Sequence, residues 1–172
     1  LSALFVLDAT SCPHPQREAL ATRNRTQRGS ARALPNEWIS TMANLINNLG
    51  GTYGFGTNSL PKGDDNSSGA IDITSIFAGG FNLFGVTYNN IYINTNGNIT
   101  FGQSNGAFQS VSNFASLRIP TIAPFFADVS TTRGAVANSG GGSAGTDLIY
   151  YALNTATKQV VITWDDVSFS GA

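Results

Sequence analysis

The chain has 172 residues, enough for one domain with a buried core. Only 11% of the residues are charged, 41% are hydrophobic and the net charge is −1, which argues against a nucleic-acid-binding surface and against a disordered chain. No apolar run approaches the roughly 20 residues of a membrane-spanning helix.

Residues 1–41 differ in composition from the remainder of the chain. They hold five of the nine basic residues (Arg17, Arg23, Arg25, Arg28 and Arg32), the only cysteine, Cys12, and the only histidine, His14. Residues 42–172 carry four basic residues against seven aspartates, a net charge of −3. The change falls at Met42, the only methionine. Three readings stay open. "LSALFVL" is the tail of a secretion signal, though short for one; or translation starts at Met42 and the upstream sequence is non-native; or the segment is a genuine disordered extension. A lipoprotein signal at "ATSC" fits poorly, because Ala9 stands three places before Cys12. On each reading residues 1–41 are a disordered or non-native leader with no periodic apolar face, expected to add nothing to the body.

From Met42 on, apolar and polar residues alternate between turn signals, the pattern of an all-β domain. "NLINNLGGTYGFG" (44–56) is an Asn- and Gly-rich approach without a helical face, and "LPKGDDNSSG" (60–69) is a loop by composition. "AIDITSIF" (70–77) reads as a strand with Ile71, Ile73 and Phe77 on one side. "FNLFGVTY" (81–88) reads as an aromatic strand with a bulge at Gly85. "IYINTNGNITF" (91–101) reads as a hairpin. A three-residue loop, Thr95 to Gly97, pairs Ile93 with Ile99 and Ile91 with Phe101, gathering four apolar side chains on one face; a two-residue loop would scatter them. Gly97 then occupies the left-handed position of the loop. Asn96 and Gly97 are accordingly structural turn residues, and replacing Asn96 is expected to cost much less than replacing Gly97.

Pro120 and Pro124 argue against a central strand through residues 105–130, while "APFFADV" (123–129) reads as one buried or edge strand. "TTRGAVANSGGGSAGTD" (131–147) is a glycine-rich connection. In "DLIYYALNTATKQVVITWDDV" (147–167) a turn over Asn154 to Thr157 pairs Leu153 with Lys158, Tyr151 with Val160 and Ile149 with Ile162. Both faces of this hairpin are partly apolar, as in a strand pair between two layers.

Residues 42–172 contain neither His nor Cys, so His-dependent nucleophilic catalysis and a zinc site are not expected there. Asp165 and Asp166 are neighbours on a strand and point to opposite faces, which does not make a catalytic carboxylate pair. "SGGGSAG" leads into a strand and not into the helix of a phosphate loop. Neither an enzyme nor an obligatory cofactor is expected. The remaining candidate is a Ca²⁺ site of oxygen ligands, either Asp64, Asp65 and Asn66 in their glycine-flanked loop or Asp128 with Asp165 or Asp166. The competing reading is that these residues cap turns and accept backbone N–H bonds.

Four stretches in order carry a family resemblance: "LPKGDDNSSGAIDI", "FNLFGVTYNNIYINTNGNITFG", "IPTIAPFFADVS" and "VVITWDDVSF". With them the chain resembles the nidogen-like (NIDO) extracellular domain. The resemblance implies an antiparallel, β-sandwich-like fold with long Gly/Asn-rich loops, placed outside the cell or on its surface. It implies a non-enzymatic module for cell–matrix or cell–cell adhesion within a larger surface or secreted protein, with a matrix or cell-surface protein or glycan as partner. The Asn- and Thr-rich style and the opening "MANLINNLGG" look bacterial. Ser130 stands where the family has an acidic residue after "ADV", which weakens a cation role, and Ser168 replaces the glycine after "TWDDV". The family domain continues past that motif, so residues 42–172 are expected to be a NIDO domain incomplete at its C-terminus. Its strand at 158–167 would then keep an open edge. The alternative function is a structural subunit that self-associates by strand addition at such an edge.

Overall fold

Alternating apolar residues in two hairpins set the two layers of the fold. The computed structural model describes residues 1–9, 45–108, 117–135 and 141–170. Among them every regular element is a strand and every strand pair is antiparallel. One sheet runs β1 (Ala3–Asp8), β11 (Gln159–Asp165), β10 (Leu148–Asn154), β2 (Asn58–Ser59). The other runs β3 (Ile71–Asp72), β6 (Asn90–Asn94), β7 (Asn98–Phe101), β8 (Thr121–Ile122). Two small ladders join β4 (Phe81–Leu83) to β5 (Val86–Tyr88) and β9 (Val129–Ser130) to β12 (Ser168–Phe169). Among the described residues no helix is long and apolar enough to cross a membrane.

The core lies between the two larger sheets. Ile149, Val160, Ile162 and Trp164 from the first meet Ile71, Ile91, Ile93, Ile99 and Phe101 from the second in one buried cluster. Phe81 stacks on Phe101 with ring centres 5.4 Å apart, which closes one end. The outer face of β10 is also covered, because Leu45 and Phe55 of the approach segment pack on Tyr150. Hence both faces of the β10–β11 hairpin are apolar. The hairpin of β6 and β7 has the expected register, Ile93 opposite Ile99 and Ile91 opposite Phe101, and Gly97 takes φ 76°.

Several elements depart from the pattern of the sequence. In β10 and β11, Tyr151 faces Ile162 and Leu153 faces Val160, a slide of two residues from the expected pairing. Local turn chemistry causes it. Asn154 Oδ1 accepts from the amides of Ala156 and Thr157, each at 3.1 Å, and Lys158 closes the loop with φ 57°. A slide of two keeps every side chain on its expected face. Residues 81–88 are not one bulged strand but a hairpin whose two turn residues, Phe84 and Gly85, both have positive φ, 52° and 86°. That is the turn class whose twist suits a tight hairpin. The 70–77 strand stops after Asp72, whose Oδ1 accepts from Thr74 N at 2.8 Å. The chain then winds so that Ile76 and Phe77 both donate to Ile73 O, and Ile73, Ile76 and Phe77 still enter the core. The bonds from Thr74, first its backbone N–H, hold the Asp72 carboxyl below its ordinary value. "APFFADV" is likewise not one strand: only Val129 belongs to β9, and the part before it is tied to the hairpin loop by Phe125 N to Gly97 O and Ala127 N to Asn96 O.

The largest departure lies upstream of Met42. Strand β1 runs along β11 from Ala3 opposite Trp164 to Asp8 opposite Gln159. Leu7 enters the main core and Phe5 packs against it, while Leu4 turns to the outer cluster. This corrects two expectations, that nothing in residues 1–41 adds to the body and that the strand at 158–167 has an open edge. Leu7→Ala is expected to lower the unfolding free energy by about 2–3 kcal/mol. Urea denaturation measures this, and an unchanged midpoint would show that β1 is not docked in solution.

Candidate functional site

The polar chemistry of the fold gathers around the loop between β6 and β7. Asn94, Asn96 and Asn98 are all completely inaccessible. Buried amides seek partners; those of Asn94 and Asn96 are satisfied, whereas Asn98 accepts through Oδ1 and its Nδ2 has no partner among the described residues. Asn94 donates to Asn98 Oδ1 and to Thr100 Oγ1, and its own Oδ1 accepts from Ser67 Oγ at 2.6 Å. Asn96 donates to Asp65 Oδ1 at 2.8 Å and to Gly106 O at 2.9 Å, and its Oδ1 accepts from Val129 N at 2.8 Å. One side chain thus holds the Asp-Asp loop, the loop after β7 and the start of β9. The turn account of Asn96 is therefore too small. The asparagines form the joint that fixes the surrounding loops, and their burial keeps them from touching a ligand directly.

Gly97 is fixed twice. Besides its positive φ, a Cβ there would collide with the Phe125 ring. Phe125 in turn packs edge-on against Trp164 at 5.3 Å, and Trp164 Nε1 donates to the carbonyls of Thr95 and Asn94 at 3.2 and 3.4 Å.

The carboxylates divide into two groups. Asp165 is fully enclosed, accepting from Ser143 Oγ, Ala144 N, Thr146 N and Thr146 Oγ1 at 2.7–3.1 Å. It anchors the glycine-rich connection, a role the spacing of the sequence did not reveal. Asp147 accepts from Gly134 N at 2.8 Å and lies 3.9 Å from Lys62 Nζ, while Asp166 lies 3.6 Å from the amino group of Leu1. Asp64, Asp65 and Asp128 form the second group. Burial raises the Asp128 carboxyl above its ordinary value, and the charges of Asp64 and Asp65 raise it further.

The structure therefore brings together Asp64, Asp65 and Asp128 of the sequence-derived cation candidates, while engaging several elsewhere. Asp65 Oδ1 accepts from Asn96 and from Phe108 N, and Asp64 Oδ2 accepts from Ser170 Oγ. The Asn66 amide donates to the carbonyls of Lys62 and Pro61. Among the described residues no group of three or more His, Cys, Asp or Glu side chains is arranged to hold a metal ion. Beside Asp64 lies a hollow of about 300 Å³, walled by β9, β12 and the segments that adjoin them.

The fold and this loop cluster define an all-β module whose polar residues serve chiefly to fix exposed loops. Residues 46–171 match the family described as NIDO related, and the chain belongs to that family. Comparison with curated proteins and with solved structures gives no match.

Two expectations test the joint and the acidic group. Asn96→Ala leaves the Val129 amide, the Gly106 carbonyl and Asp65 short of a partner. It should cost about 1–3 kcal/mol, chiefly from the buried Val129 amide left unpaired, since Asp65 is exposed and Gly106 half-buried. Gly97→Val should cost as much, from the left-handed backbone and the collision with Phe125. Chemical denaturation of both variants decides it, and a mild Asn96→Ala would restore the turn-only account. For Asp128 the raised folded value means that the native state binds its proton more readily than the unfolded chain. Ionised Asp128 therefore costs stability at neutral pH, and that cost fades as the pH falls through the raised value toward the ordinary 3.8. Asp128→Asn should raise Tm at pH 7 and converge on the parent in acid; a difference independent of pH would refute the electrostatic account.

Proposed function

We propose that this chain is a non-enzymatic extracellular module for cell–matrix or cell–cell adhesion, acting within a larger surface or secreted protein. Membership of the NIDO-related family over residues 46–171 carries this reading. The surface supports it. Phe84 stands 88% exposed at the tip of the β4–β5 hairpin, with Val86 exposed beside it. Phe84 also has positive φ, where a bulky residue is strained, and gains little internal packing in return. A hairpin tip that presents an aromatic ring suits contact with another molecule. The same chain without Phe84 is the test. Wells coated with laminin, fibronectin, collagen or mucin should retain the full chain, and Phe84→Ser should weaken retention without lowering Tm. If no coating retains the parent chain, the adhesion reading fails.

One observation favours the second reading, assembly by strand addition. The outer edge of β11 accepts β1, a strand remote in sequence, so the same edge could accept the β1 of a second copy. Sedimentation over a range of concentrations separates the readings: a monomer throughout favours adhesion, and growth into open-ended oligomers favours assembly.

A further inference from the structure

The two larger sheets end in four edge strands, and three of them, β2, β3 and β8, are only two residues long. The fourth, β1, has six residues. Folded proteins protect an edge of that length with Lys, Pro or a bulge. The strand "ALFVLD" has neither Lys nor Pro, and its register along β11 runs without a break.

Parity settles which main-chain groups this edge presents. Ala9 N donates to Lys158 O at 3.0 Å, and these two residues stand opposite one another when the register of β1 and β11 is continued. In an antiparallel ladder every second residue exchanges both its bonds with its partner. Leu7, Phe5 and Ala3 therefore aim N–H and C=O at β11, whereas Leu4 and Val6 aim theirs away from it. Among the described residues nothing bonds the main chain of Leu4 or Val6 on that side. Both residues are half-buried, so their polar groups lie at a largely apolar rim, where leaving them unpaired is unfavourable.

The strand is complementary to itself. A second copy related by a two-fold axis normal to the sheet runs antiparallel to β1 and keeps the core faces on one side. Two registers then match outward-facing main chain to outward-facing main chain about the middle of the strand. With Phe5 opposite Phe5 of the second copy, Leu4 meets Val6, Ala3 meets Leu7, and the one carboxylate, Asp8, falls opposite Ser2. With Val6 opposite Val6, Asp8 falls opposite Leu4. The first register pairs apolar with apolar on both faces and sets no like charges together. It makes Leu4 and Val6 a reciprocal hydrogen-bonded pair on each side of the axis. The two Phe5 rings then form the closer, non-bonded pair on the axis itself.

We propose that β1 pairs through its outer edge with β1 of a second copy, joining the first sheets of two molecules into one continuous sheet across a two-fold axis. Each β1 stays on its own β11, unlike an exchanged strand, and the association closes at two. The proposal rests on neither reading of the function, and a pair so formed carries two Phe84 tips.

Sedimentation equilibrium of the full chain, from micromolar to millimolar concentration, should give a reversible monomer–dimer curve with nothing larger. Amide hydrogen exchange, read by NMR over the same range, locates the contact. Exchange at Leu4 and Val6 should slow as the concentration rises, while Phe5 and Leu7, already bonded to β11, change far less. Val6→Pro removes one outward N–H and leaves the β1–β11 ladder whole, since Pro is tolerated on an edge strand where the N–H faces outward. It should stay monomeric throughout, with a Tm close to the parent's. Where Val6→Pro lowers Tm, Val6→Lys serves in its place, setting a charge against Leu4 of the second copy. The proposal is overturned if the chain stays monomeric, if it grows beyond two, if Leu4 and Val6 exchange in the dimer as in the monomer, or if the variants pair as the parent does.

Discussion

The fold depends on how the indole of Trp164 is held. It sits in β11, in the first sheet, yet its only polar atom donates to the hairpin loop of the second sheet. A buried N–H must find an acceptor, so the two sheets can close over this ring in only one relative placement. Phe125 packs against the indole and lies over Gly97, and the loop has room for it because Gly97 has no Cβ. A sandwich packed by aliphatic residues alone would tolerate sliding between its layers. Here one indole and one glycine remove that freedom.

Around this contact the chain builds its loops with amides and carboxylates in place of hydrophobic anchors. Asn96 ties three segments together, and Asp165 gathers the glycine-rich connection with four bonds. Such buried groups stabilise little on balance, because each bond replaces one with water. Their effect is selectivity: a loop displaced by a residue would leave several buried groups unpaired at once. This suits a chain with few charged residues, since the loops are fixed by neutral amides and enclosed carboxylates and their outer surfaces stay free to vary.

Much of the core was legible in the sequence, for a definite reason. Ile91, Ile93, Ile99 and Phe101 fall on one face only if the loop has three residues, so burial alone selects the register. The β10–β11 pairing was legible in its faces but not its register. Parity decides the face, whereas capping by Asn154 decides where the turn falls. The Phe84-Gly85 turn was missed because an aromatic residue is an unusual occupant of a left-handed position. The polar joint was half visible. Asn and Gly announce a turn, but nothing local shows that Asn96 reaches Val129, a contact made only after the sheets have closed. Strand β1 was hidden more completely. "ALFVLD" is as apolar as a signal segment, and its partner lies more than 150 residues away, from Leu7 to Val160 being 153 (160 − 7).

That distance sets an order of events in time. Leu7 leaves the ribosome 153 residues (160 − 7) before Val160, the residue it faces. At ~5–20 residues per second the intervening stretch takes about 8–30 s to synthesise. Throughout that interval β1 is an apolar strand without its mate, while the β6–β7 hairpin gains all its residues and can form well before β11 exists. Completion of the first sheet is therefore a late step in the assembly of this fold, and any factor that shields a nascent strand would act on β1.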